Sequence, residues 1–155
     1  MMAVKRTAFT LVELVIIVSV LTALAFIAVP RLQYATLYRK QADTVAKKIV
    51  TDLRRTRRLA ISDAPNNTEG FSLNMTGSSP YTGYEIVNLD TSTTITNGTF
   101  SIDSAITCTG GSQFKFGPLG NLLSGSGTQL TVLASGKTFT INITSATGMI
   151  KCVEN

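Results

Sequence analysis

One stretch of this chain restricts its folding more than any other. From Phe9 to Val29 nearly every residue is apolar, and Glu13 is the one charge in the run. At 1.5 Å per residue a helix of that length spans about 30 Å, the hydrocarbon thickness of a bilayer. The remainder of the 155 residues suits a single domain and is rich in Thr, Ser, Gly and Asn. The reading is a soluble domain carried behind a membrane-spanning helix. Lys5 and Arg6 precede the apolar run. The positive-inside rule then keeps the N-terminus cytoplasmic and puts everything after Val29 on the far side of the membrane.

Charge is unevenly spread. The formal net charge is +5, but nine basic residues fall between Arg31 and Arg58, against Asp43 and Asp52. From Leu59 onward there are three lysines and six acids. A pI near 9.5 therefore describes a leader and one helix, which weakens a reading of the whole protein as a nucleic-acid binder. Two cysteines, Cys108 and Cys152, stand with no histidine and no Cys-x-x-Cys, so neither a structural zinc site nor a redox pair is expected. In an exported domain the two are expected to form a disulfide with each other. Closing a loop of this length would add roughly 3–4.5 kcal/mol in the chain-entropy model.

The expected fold class is α+β, in four segments. Residues 1–8 are a polar leader, 9–29 the membrane helix, 30–64 an amphipathic continuation, and 65–155 a β-rich head. Pro30 is expected to kink the helix rather than end it. Beyond it Ala35, Tyr38, Ala42, Val45, Ile49, Leu53, Thr56 and Ala60 follow steps of three and four, the mark of one buried stripe. Asp63-Ala64-Pro65-Asn66-Asn67 breaks the helix after about Ser62. Strands are expected at Phe71–Met75, Tyr84–Leu89, Thr99–Thr107, Gln113–Phe116, Gln129–Leu133, Lys137–Thr144 and Met149–Val153. Phe139, Ile141 and Ile143 alternate with polar residues, as in an antiparallel sheet with one wet face, and the helix stripe can cover its apolar face. Ser135-Gly136 reads as a tight turn, and Thr91–Asn97 and Leu119–Gly127 as surface loops.

The segment Ala8-Phe9-Thr10-Leu11-Val12-Glu13-Leu14-Val15-Ile16-Ile17 resembles the type IV prepilin signature. The resemblance implies a pilin fold, with one long N-terminal helix packed on an antiparallel sheet domain. It implies cleavage by a prepilin peptidase between Ala8 and Phe9, and N-methylation of Phe9. Ala8 stands where the family usually has Gly. Glu13 would be the assembly carboxylate at the fifth mature position, and Pro30 the proline often seen near the twenty-second. Partners would be other pilins or pseudopilins through the N-terminal helix, the peptidase, and an inner-membrane assembly platform.

Two plainer explanations leave more unaccounted for. Ala23-Leu24-Ala25 could be an ordinary signal-peptidase site, but the apolar run exceeds a typical signal core and carries an acid. A simple anchor explains the length, but not why Phe-Thr-Leu-Val-Glu directly follows a short basic leader.

The stretch from Asp52 to Ile61, and the tail from Phe114-Lys115-Phe116-Gly117-Pro118-Leu119-Gly120 to Gly148-Met149-Ile150, look like the GspH/FimT group of minor pilins and pseudopilins. That implies a structural role in a type IV pilus or a type II secretion pseudopilus, as a minor subunit that primes or caps assembly. The alternative is a FimT-like subunit that binds DNA during natural transformation. The basic tail motif of such proteins is altered here, where Gly148-Met149-Ile150-Lys151 stands. Arg54, Arg55, Arg57, Arg58 and Lys151 are candidate contacts to DNA or to a neighbouring subunit, although cations near a helix C-terminus are favoured without any ligand. No catalytic motif, metal site or cofactor site is expected, and the chain does not read as an enzyme.

Overall fold

The computed structural model describes residues 10–155, with the backbone alone described at 29–35. The fold is α+β: one helix, α1 (Leu11–Ser62), followed by eight strands in two four-stranded antiparallel sheets. The chain divides into two compact units between Thr36 and Leu37.

In the first unit α1 starts at Leu11, where the Thr10 hydroxyl accepts the main-chain N–H of Glu13 at 3.3 Å. This is an N-cap, and the acid three residues on completes the Thr-x-x-Glu pattern that marks a helix start. Leu11–Ala28 has a mean hydropathy of 2.7 and is long and apolar enough to cross a membrane. Ser19 and Thr22 donate their hydroxyls to the carbonyls of Val15 and Val18, each at 2.7 Å. Those bonds satisfy the two hydroxyls of the segment within the helix, as hydrocarbon requires. Helical structure continues through Pro30, which therefore does not end the element.

The second unit is the head. The α1 residues Ala42, Val45, Ala46, Ile49, Val50, Leu53 and Ala60 are buried and share one core with side chains of both sheets, and Thr56 is buried on the same stripe with its hydroxyl donated to the Asp52 carbonyl. After Ser62 the main-chain N–H groups of Asn66 and Asn67 both donate to the Asp63 carbonyl, and the chain leaves the helical path. Buried Asn67 then fastens the connection: its amide donates to the Gly70 carbonyl at 2.9 Å and to the Asn88 side chain at 2.8 Å. The first sheet has the order β3 (Thr93–Ser101), β2 (Gly83–Asn88), β1 (Phe71–Thr76), β5 (Gln113–Phe116). The second has the order β4 (Thr107–Gly110), β6 (Gln129–Ala134), β7 (Lys137–Thr144), β8 (Met149–Glu154). Their registers bring apolar side chains together. Leu73 stands opposite Ile86 on one side and Phe114 on the other, and Leu130 and Val132 stand opposite Ile141 and Phe139. In the β6–β7 hairpin Ser135 and Gly136 take φ of 47° and 78°, the left-handed pair of a two-residue type I′ turn.

Two expectations are corrected. A single strand was expected over Thr99–Thr107, with a loop before it. Instead β3 begins at Thr93 and ends at Ser101, and the chain turns before β4. The turn is set by Asp103, whose side chain accepts the Ala105 N–H at 2.9 Å and whose carbonyl accepts Ile106 at 2.9 Å. The second correction concerns the sheets. The head holds two of them rather than one.

Candidate functional site

The sequence placed interest at two regions, the N-terminal segment and the basic end of α1. In the first, Ala8 and Phe9 lie outside the described residues. Glu13 lies in the first turn of α1, where an acid is favoured by the positive end of the helix dipole. The Leu11–Ala28 window is wholly unburied within the described chain.

In the second region the structure separates arginines that look alike in sequence. Arg55 is spent on the fold: its guanidinium donates to the carbonyl of Asn97 at 3.1 Å, and to that of Thr96 at 3.4 Å, on β3. Arg57 turns instead to the loop between β5 and β6, and its Nε donates to the Gly120 carbonyl at 3.0 Å. Gly148 closes on the same spot with φ of +63°; a Cβ there would lie 1.9 Å from the Gly120 oxygen and 3.0 Å from Arg57 Nε. A side chain at position 148 would therefore push the β7–β8 turn off the Gly120 loop. The Leu122 N–H donates to the Ser145 carbonyl at 2.9 Å and fixes that turn from its other side.

Arg54 and Arg58, one turn apart, are exposed and make no ion pair or hydrogen bond among the described residues. With Arg57, Ile61, Met149 and Ile150 they line a groove of about 870 Å³ between the end of α1 and the β7–β8 turn. A smaller groove continues along the same seam, where Arg54 is joined by Lys47, Lys151 and Cys152. Lys47 is already paired with Asp43 at 2.7 Å. Thus Arg54, Arg58 and Lys151 come together on one side, while Arg55 and Arg57 serve as struts. Sequence reasoning missed Gly120 and Gly148 as parts of this wall. Their one signal was Gly in two segments already noted for other reasons.

The expected bridge between Cys108 and Cys152 is not formed. Both are free; Cys108 is buried on β4 and Cys152 is exposed on β8. Those are the outer strands of the second sheet, with β6 and β7 between them. Three strand spacings separate them by about 14 Å, against a limit of roughly 7 Å between bridged Cα atoms. Burial pushes the Cys108 thiol up to about 12, and burial foremost, then the charge of Asp43, raises that of Cys152. Neither is an activated thiolate. A thiol reagent is expected to label Cys152 in the folded, unreduced protein and both cysteines once it is unfolded. Absence of any label after unfolding would restore the bridge.

No family model, curated protein or solved structure matches this chain.

Proposed function

We propose that this chain is a structural subunit of a type IV pilus or a type II secretion pseudopilus, a minor one that primes or caps assembly. The observation that carries the reading is the Leu11–Ala28 segment: apolar, wholly unburied, and bearing Glu13 as its one charge. Such a surface has to be covered, first by lipid and then by the same segment of neighbouring subunits. The prepilin-like residues around Phe9 supply the route from one state to the other. On this reading the subunit starts in the inner membrane with its N-terminus in the cytoplasm and its head outside. It adopts a pilin fold, and it works by association rather than catalysis.

The test is mass spectrometry of the mature protein. A methylated N-terminal Phe9 is expected. A start at Phe26 would mean an ordinary signal peptide and would overturn the proposal.

A further inference from the structure

We propose that the groove between the end of α1 and the β7–β8 turn docks an acidic protein segment that carries an apolar anchor. The inference rests on the head alone and does not depend on the filament reading.

Three features of the groove point to that occupant. The first is charge. Arg54 and Arg58 sit four residues apart on one helix face, so their side chains reach the same volume, and no carboxylate of the described chain answers them. Exposed guanidiniums at this spacing suit a pair of carboxylates, each held by charge-assisted hydrogen bonds. The second is the floor. Met149 is 59% exposed and Ile61 44%, and both line the groove; Leu119, beside the Gly120 that meets Ile61, is 88% exposed. Arginine and methionine are both enriched at protein–protein contact surfaces, and the exposed aliphatic side chains beside them gain by being covered. The third is rigidity. The wall is held by the Arg57–Gly120 bond and the close fit of Gly148, so the groove exists before any partner arrives.

The same features disfavour a polynucleotide. Phosphates gain nothing from an apolar floor, and a phosphate track needs a longer run of unpaired cations. Lys47 is paired with Asp43 and Lys137 with Glu154, so each of these lysines brings a neighbouring carboxylate that repels phosphate. From Leu59 onward the chain carries more acids than bases, which repels a polyanion approaching the rest of the head.

The experiment uses the full chain in detergent micelles. A random library of displayed peptides, about a dozen residues long, is panned on it with counter-selection on the Arg54→Glu/Arg58→Glu variant. The expected result is enrichment of sequences in which Asp or Glu flanks Leu, Ile or Phe. A synthetic peptide of the enriched sequence should lose affinity by about tenfold or more on the double variant, the scale set by losing charge-assisted bonds. It should weaken similarly when its apolar residue is changed to Gly, and also when Met149 is replaced by Ser. Arg54→Gln/Arg58→Gln provides the same reading if charge reversal disturbs folding. Enrichment without acidic residues, or equal affinity for wild type and variants, would overturn the proposal. So would tight binding of labelled duplex DNA through Arg54 and Arg58 at about 0.15 M salt, which would give the groove to a polynucleotide.

Discussion

Replacing Glu13 by leucine is expected to leave the protein inserted, cleaved and folded while its recovery in filaments falls about tenfold or more. An acid within a membrane helix costs roughly 2.5–3.5 kcal/mol at the centre, and less toward an end. Nothing else in the apolar run can balance it. On the proposed reading, cleavage creates a partner, the positive amine of Phe9. That amine belongs to the same chain, four residues away, or to a neighbouring subunit. A pair between neighbours would fix the axial offset of their helices and favour docking of the free subunit. If it recovers even about 1.4 kcal/mol, its loss costs tenfold in association.

The helix start gives this test an internal control. The cap at Thr10 uses the main-chain N–H of residue 13, so Glu13→Leu keeps it. What the leucine variant loses locally is the acid at the positive helix end, typically 0.3–1 kcal/mol. Glu13→Gln keeps a polar side chain there and removes the charge. Cleavage, membrane level and recovery in sheared filaments are scored separately for each. Normal recovery of both variants would show the charge pair to be wrong, and normal recovery of the glutamine variant alone would assign the effect to polarity.

The largest loss of stability is expected from Asp52→Ala, about 2–4 kcal/mol by denaturant unfolding: a hydrogen bond to a charged group is lost and the buried Tyr84 hydroxyl is left without its partner, while half-exposed Lys48 returns to water. Asp52 is 6% exposed on the inner face of α1. It accepts the Tyr84 hydroxyl of β2 at 2.7 Å, and the Lys48 ammonium lies 3.0 Å from the same oxygen. Phe100 of β3 packs its ring 5.3 Å from that of Tyr84, and Lys48 reaches over it at 6.0 Å. One carboxylate thus ties the helix to the first sheet. Tyr84→Phe leaves Asp52 with Lys48 alone and should cost about 1.5–3 kcal/mol, as for a hydrogen bond to a charged group.

The two proteins should also differ in alkali. Burial foremost, then the bond to Asp52 and its charge, pushes the Tyr84 phenol far above its ordinary value of 10.0. A raised folded pKa contributes stability that is full below about pH 10 and declines as pH rises beyond it. Wild type should therefore lose stability above pH 10 more steeply than Tyr84→Phe. Parallel pH profiles would refute the assignment.

Much of the architecture was legible in advance because its signals are local and periodic. The apolar run, the stripe from Ala42 to Ala60, the breaker at Asp63 and the alternation of Phe139, Ile141 and Ile143 each needed only neighbours along the chain. The strand at Thr93 was missed for a related reason. It is an edge strand that buries little beyond Gly98, so nothing in its polar composition distinguishes it from a loop; pairing with β2 makes it a strand.

Long-range relations had no such signal. Cys108 and Cys152 both lie on strands of one sheet, and the number of strands between them, which forbids a bridge, is a matter of topology. Arg54, Arg55, Arg57 and Arg58 are near neighbours in sequence, but a helix turns by about 100° per residue, which sets Arg55 and Arg57 about 200° apart and brings Arg58 back over Arg54. That rotation sends Arg55 to β3 and Arg57 to the loop between β5 and β6, and leaves Arg54 and Arg58 facing an open groove. The elements of this protein are written in short-range periodicity. Which side chains become struts and which stay available is decided by how the helix is rotated against its two sheets.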